Sequence, residues 1–188
     1  MPEKANEVQT EKAYLEQERS SEIKHEYYRG EIFALPGVSR KHNLIVANLI
    51  GELRAQLKNT PCRIYASDMR LKIEKTGLFT YPDVMVVCGE ERFSDDRQDT
   101  LLNPEVIVEV LSDSTEGYDR GKKFEQYRKL VSLREYVLVS QNSEKIERFL
   151  KNESGYWVLT ESDEENPRLR LESIPCELSH SEVYEKTE

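Results

Sequence analysis

The chain has 188 residues with a formal net charge of −9, of which 37% are apolar and 34% charged. No apolar stretch approaches the roughly 20 residues that span a bilayer, and the acidic balance argues against indiscriminate coating of nucleic acid. One domain over 1–188, large enough to bury a substantial core, is the simplest organisation.

The start, MPEKANEVQTEK, lacks the basic and apolar regions of a signal peptide, so cytoplasmic residence is the expectation. Residues 1–9 are expected to be disordered, and the polar first dozen to fray. Thr10 can cap a short helix over 11–18, with Ala13, Tyr14 and Leu15 on its apolar side. HEYYRGEIFALPG reads as two strands turning at Arg29-Gly30 and ending at Pro36-Gly37. Ser39 then caps a long helix to about Lys58, because Leu44, Ile45, Leu49, Leu53 and Leu57 recur at helical spacing.

Asn59-Thr60-Pro61 stops that helix, and strands follow at 63–66, 69–74, 83–88 and 105–111. A helix is predicted over 119–130, then strands at 135–140 and 145–150, and 155–160 offers another. The strands at 105–111 and 135–140 with the helix between them form a β-α-β unit, so they run parallel and the sheet is mixed. The fold expected is α/β, a sandwich around one mixed β-sheet flanked by helices.

Cys62, Cys88 and Cys176 are scattered with no CxxC spacing, which excludes a zinc ribbon and a dithiol redox site. Buried, reduced thiols are expected. Charge is uneven: residues 161–188 hold nine acids against three bases, whereas 118–130 hold five bases against two acids. A local basic face can act despite the global sign, because surface charges are screened beyond roughly 8 Å.

The chemistry is concentrated in two acids. Val106-Ile107-Val108-Glu109-Val110-Leu111 is apolar on both alternating faces except at Glu109, the pattern of a covered strand. An ionised carboxylate there costs several kcal/mol unless a cation or hydrogen bonds compensate. Asp83 repeats the anomaly before the apolar run Val84–Cys88. On neighbouring strands the two could converge on a magnesium ion, which takes a few carboxylates, waters and phosphate oxygens. Asp119, Lys123 and Tyr127 at i, i+4 and i+8 share a helix face, from which Lys123 can pair with Asp119 or reach over the strand ends.

Each of these residues has a simpler reading. Glu109 could be one half of a buried ion pair with an arginine or Lys123, and Asp83 could fix a turn after Pro82. Lys123 alone reads as a solvated helix lysine, and Glu26 as a strand-edge charge paired to Arg29. His42 suits a cap-adjacent position with a weak supporting role in a site. Asp68 reads as a turn residue able to approach the same cleft. Tyr127 reads as a packing aromatic with a satisfied hydroxyl, and Trp157 as core or interface. Ser112 and Ser114 have no His and Asp partners from which a nucleophilic triad can be built.

The order and spacing of Pro82-Asp83, Glu109-Val110-Leu111-Ser112, Asp119-xxx-Lys123-xxx-Tyr127 and Glu135-Tyr136 resemble the Uma-two family. This is a bacterial group of endonucleases within the PD-(D/E)xK superfamily. HEYYRGEIFALPG followed by Lys41-His42-Asn43 is similar to the family's opening, and the resemblance runs from Tyr14 to Tyr184. It implies a restriction endonuclease-like core, Asp83 and Glu109 as ligands of Mg²⁺ or Mn²⁺, and Glu26 as a candidate third acid. The usual lysine position is Leu111, chemically silent, and Lys123 looks like its substitute.

DNA is the implied substrate, with Arg120 and Lys122 holding its backbone and a homodimer as the common assembly. The alternative is a catalytically inactive nuclease-fold module that binds nucleic acid or a protein partner. A third reading keeps the acids as buried ion pairs only.

Overall fold

Side-chain caps and a tight turn build the N-terminal region. The computed structural model describes residues 9–113 and 115–188. Thr10 caps α1 (Glu11–Glu18) by accepting the Ala13 N–H at 3.2 Å, so residues 11 and 12 are helical rather than frayed. Gln9 is also tied down, its carbonyl accepting from the Tyr27 hydroxyl at 2.9 Å. The disorder expected for 1–8 lies outside the described residues, as does Ser114. β1 (His25–Tyr28) and β2 (Glu31–Ala34) turn at Arg29 and Gly30, whose φ values of 50° and 91° are those a two-residue hairpin loop demands. Ser39 caps α2 (Arg40–Leu57), accepting the His42 N–H at 3.1 Å.

The strands β3 (Cys62–Ala66), β4 (Arg70–Ile73), β5 (Leu78–Thr80), β6 (Val84–Cys88), β7 (Thr100–Leu101) and β8 (Val106–Leu111) follow. The next helical stretch is α3 (Glu116–Tyr118), a π segment (Asp119–Lys123) and α4 (Phe124–Tyr127). It begins before the predicted residue 119 and ends before 130. The carbonyl of Asp119, in the widened π turn, accepts from the Tyr136 hydroxyl at 3.0 Å. The chain ends with β9 (Glu135–Ser140), β10 (Ile146–Lys151), β11 (Trp157–Ser162), β12 (Arg168–Leu171), β13 (Cys176–Ser179) and α5 (His180–Val183).

Six strands form the central mixed sheet in the order β11-β10-β9-β8-β6-β3. β8 and β9 are parallel, as the β-α-β unit requires, and the other neighbours are antiparallel. The single sheet expected is joined by a second of five strands, β2-β1-β5-β4-β7, and by the β12-β13 pair. Short strands with long crossovers between them carry no periodic signal strong enough to assign them to separate sheets.

Alternation along β8 divides the core. Val106, Val108 and Val110 join Ile45, Leu49 and Leu53 of α2 and Leu169 and Leu178 of the C-terminal pair. Ile107 and Leu111 join Leu71, Leu101, Phe124, Tyr127 and Tyr136 on the other face. Trp157 packs edge-on to Phe124 at 5.3 Å, a core role. Glu109 shares the parity of Ile107 and Leu111, so its carboxylate faces α3, the π segment and α4.

One cysteine expectation is overturned. The β3–β6 register sets Cys62 opposite Cys88, and the two form a disulfide. They are 26 residues apart in sequence, so spacing alone gave no sign of the pairing. Cys176 is free and buried, as expected.

Candidate active site

Strand register brings the two anomalous acids together. β6 and β8 pair through Val84↔Val108, and one step further places Asp83 opposite Glu109. There the ladder ends, with Asp83 in a bend before β6. The Val110 N–H donates instead to Asp83 Oδ2 at 2.8 Å, and the Asp83 N–H approaches Glu109 Oε2 at 3.4 Å. Like charges set directly opposite are destabilising, so something must compensate.

Part of the compensation comes from the π segment. Lys123 Nζ lies 2.9 Å from Glu109 Oε1, 3.4 Å from Asp119 Oδ1 and 3.9 Å from Glu26 Oε1. The Tyr127 hydroxyl donates to Glu109 Oε1 at 2.6 Å, satisfying both partners as expected of this aromatic. Asp119, Lys123 and Tyr127 do share one face and are buried, Lys123 and Tyr127 against Glu109 and Asp119 against Lys123.

Two further elements close the site. α2 brings His42, whose Nε2 stands 3.0 Å from Asp83 Oδ1. β1 brings Glu26, which is buried and accepts from Thr80 Oγ1 and, at 3.3 Å, from the Tyr118 hydroxyl. Arg29, the alternative partner considered for Glu26, has its guanidinium over the Tyr28 ring instead.

Electrostatics follow from this burial. Glu109 is pushed up to about 8, first by burial and then by Asp83 and Asp119, with Lys123 and Tyr127 opposing. Burial also raises Asp119, against the pull of Lys123. Burial pushes Lys123 down, but Glu109, Asp119 and Glu26 reverse this and hold its ammonium charged. Three carboxylates therefore meet one lysine, and a fourth, Asp83, stands beside Glu109.

This excess of carboxylate over cation fits a divalent ion. Asp83 and Glu109 present the open side of the cluster to a cleft of about 560 Å³, which both line. Among the described residues no three His, Cys, Asp or Glu side chains form a ready metal-holding group. A pair of carboxylates is nonetheless the protein share that magnesium commonly takes, with waters and phosphate oxygens completing its shell.

Other candidates sit differently. Arg120 is engaged by Glu116 at 2.7 Å and by Glu147, and it does not line the cleft. Lys122 is exposed but likewise does not line it. Asp68 pairs with Lys24 at 2.6 Å at the rim, outside the lining. Leu111 is buried in the apolar cluster, so no charge could act from its position.

Ser112 Oγ is bonded to Thr115 Oγ1 at 2.9 Å. A serine–histidine pair does occur elsewhere, Ser162 Oγ with His180 Nε2 at 2.8 Å. That hydroxyl is fully buried and bonds both backbone groups of Ile146, so it ties α5 to the sheet rather than attacking a substrate.

Sequence reasoning missed Thr80 and Tyr118 as partners of Glu26. The one signal available in sequence was a threonine directly after the apolar pair Leu78-Phe79; the structure buries all three, where an unbonded hydroxyl would be costly.

A family model described as "Uma2: Putative restriction endonuclease" matches residues 12–182. Two Synechocystis sp. (strain ATCC 27184 / PCC 6803 / Kazusa) proteins, both named as uncharacterized, are similar along most of their length. One, sll1609, is 37% identical over 158 residues, 84% of this chain and 89% of that protein. The other, slr1290, is 37% identical over 173 residues, 91% of this chain and 88% of that protein. The crystal structure of a "putative nuclease belonging to DUF820" from Anabaena variabilis ATCC 29413 superposes with a TM-score of 0.73 at 16% identity. That match covers 92% of this chain and 96% of the other and speaks to the fold.

Proposed function

Because the chain belongs to the Uma2 family of restriction endonuclease-like proteins, we propose that it is a metal-dependent endonuclease hydrolysing DNA phosphodiester bonds. The observation that carries this reading is the opposition of Asp83 and Glu109 where the β6–β8 ladder opens onto the cleft, with Lys123 2.9 Å from Glu109. Asp83 and Glu109 would hold Mg²⁺ or Mn²⁺, which when bound supplies positive charge to the scissile phosphate and lowers the pKa of the attacking water. Glu26, tied to Thr80 and Tyr118, acts from behind by keeping Lys123 charged.

The protein's own residues then position and neutralise. His42 fixes the Asp83 carboxylate through Oδ1, and the Val110 N–H fixes Oδ2. Tyr127 orients Glu109 through Oε1. Lys123, which has three donors and a charge maintained by its acids, holds the attacking water or an anionic phosphate oxygen. In the step itself the water gives up a proton to solvent as its oxygen bonds to phosphorus, the ester P–O bond breaks, and the leaving alkoxide takes a proton from solvent. Lys122, exposed on the same helical stretch, is available to the backbone, whereas Arg120 would first have to release Glu116 and Glu147.

The reading extends to one domain, a homodimer and the cytoplasm, with DNA rather than RNA as substrate. Nicking of supercoiled plasmid in Mg²⁺ or Mn²⁺ is the test. Loss of nicking in Asp83→Ala is expected, and cleavage unchanged by that substitution overturns the assignment. A second reading, an inactive nuclease-fold module, is favoured by the burial of Leu111 where the superfamily has its lysine. Salt-sensitive DNA binding with no metal requirement would select it.

A further inference from the structure

The cleft over the acids has a wall unlike the rest of this charged chain. Residues 33–38, Phe-Ala-Leu-Pro-Gly-Val, carry no polar side chain, and all six line the same cavity as Asp83 and Glu109. Phe33 is 48% exposed and Val38 59%. Contiguous exposed apolar surface of this kind marks a place where something docks.

Register fixes what Phe33 faces. It stands directly opposite Glu26 in the β1–β2 ladder, so its ring and that carboxylate share one face of the ribbon. Tyr118, 38% exposed, bonds Glu26 from the helical side and lines the same cavity. Two half-exposed aromatic rings therefore adjoin one acid of the site.

The charges lining the cleft narrow the occupant. Its acids are Glu26, Asp83, Glu109, Asp113 and Asp119. Its lysines are Lys24, bonded to Asp68 at 2.6 Å and to the Ser67 carbonyl at 2.9 Å, and Lys123, surrounded by three acids. Neither can track a run of phosphates, yet a duplex presents one negative charge per roughly 1.7 Å of its axis. Duplex bases are also stacked inward, out of reach of an apolar wall. An unpaired nucleotide meets both conditions, since its base can lie on aromatic and apolar side chains while one phosphate sits at the acids. Asn43, exposed on the same wall, has donors and an acceptor for a base edge.

We propose that the cleft takes an unpaired nucleotide, its base against Phe33, Tyr118 and the 33–38 wall and its phosphate at Asp83 and Glu109. The substrates are then single strands, flaps and loops rather than flush duplex. This specificity rests on the hydrolase reading above.

The test uses one DNA sequence as single strand, flapped duplex and flush duplex, with cleavage measured in Mn²⁺. Binding is measured separately in Ca²⁺, by quenching of 2-aminopurine placed in the unpaired segment. Unpaired substrates should be cut at least about tenfold faster than flush duplex, the scale of one stacked base. Phe33→Ala should bring that ratio towards one and abolish quenching, whereas Phe33→Tyr should keep both. Val38→Ser, on the exposed end of the wall, should weaken both without unfolding.

Cleavage without preference for unpaired DNA, or a preference that Phe33→Ala leaves intact, overturns this proposal while the nuclease reading stands. With no cleavage of any substrate the nuclease reading fails, and the quenching decides: Phe33-dependent quenching supports the base site, and none overturns it. Self-association lost in Phe33→Ala, with no quenching, would assign the wall to a second copy of the chain and overturn the proposal.

Discussion

Lys123 Nζ lies 2.9 Å from Glu109 Oε1, although the two residues belong to different elements and residue 111, two along the strand from Glu109, is leucine. The ammonium reaches Glu109 from the π segment, in which Asp119 also turns inward. Buried ion clusters are fragile when one partner is removed, because the remaining charge is left without compensation. Lys123→Met should therefore lower stability by about 3–5 kcal/mol. Mg²⁺ should raise the melting temperature of this variant more than that of the parent, because removing the ammonium leaves the acids more attractive to the ion and a ligand of the folded state stabilises in step with its affinity. Thermal melts with and without Mg²⁺ check this, and equal Mg²⁺ shifts in both proteins would remove the metal from this cluster.

Glu109→Gln keeps the side chain's shape and its bond with Tyr127 while removing a buried charge. Isothermal titration should show Mn²⁺ binding lost, and nicking should fall by at least about a hundredfold. Melting temperature should stay within a few degrees of the parent or rise, because a carboxylate pushed up to about 8 by burial destabilises the fold when ionised. Unaltered Mn²⁺ binding would leave Glu109 with the structural role of an ion-pair partner.

A lysine placed at position 111 should not add chemistry. Leu111 packs with Ile107, Phe124 and Tyr136, so Leu111→Lys buries an ammonium among apolar groups. A loss of about 3 kcal/mol without any gain in nicking is expected from denaturant unfolding alongside the plasmid assay.

Acid stability depends on a pair far from the cleft. Arg19 clamps Asp99 at 2.7 and 3.0 Å, tying α1 to the segment before β7. This clamp, with Arg70 helping and partial burial opposing, holds the Asp99 carboxyl down at about 2, below its ordinary 3.8. A depressed carboxylate contributes stability that is complete above the unfolded value and lost as pH falls through the folded one. Melts of wild type and Asp99→Asn should therefore differ above pH 3.8 and converge towards about pH 2. A difference independent of pH would mean that packing, not the ion pair, sets the contribution.

The Cys62–Cys88 bridge closes a loop across 26 positions, for which chain entropy gives about 3 kcal/mol. Reduction should lower the melting temperature of the parent but not of Cys62→Ser/Cys88→Ser. Cys176 is buried, and its thiol is raised to about 11 mainly by desolvation, so native protein should take up iodoacetamide only after reduction. Rapid alkylation without reductant would show the bridge to be open in solution.

The amphipathic helix over Arg40–Leu57, its Ser39 cap, the hairpin turn at Arg29-Gly30 and the covered strand Val106–Leu111 were all legible in the sequence. Each rests on chemistry that neighbouring residues settle between themselves. The parallel run of β8 beside β9 was legible too, because a crossover helix leaves little alternative. Glu109 announced itself as a charge in an apolar run, and Asp83 repeated that signal.

What the sequence determined by itself was therefore local periodicity and the few residues that violate it. Which strands became neighbours was decided by tertiary structure, since pairing depends on register between segments far apart in the chain. Register alone set Asp83 opposite Glu109 and Cys62 opposite Cys88. It also set Phe33 opposite Glu26, joining an apolar wall to an acid seven residues before it in the chain. His42 reached Asp83, and Glu26 reached Thr80 and Tyr118, because packing leaves a buried polar group few partners and the fold chooses among them.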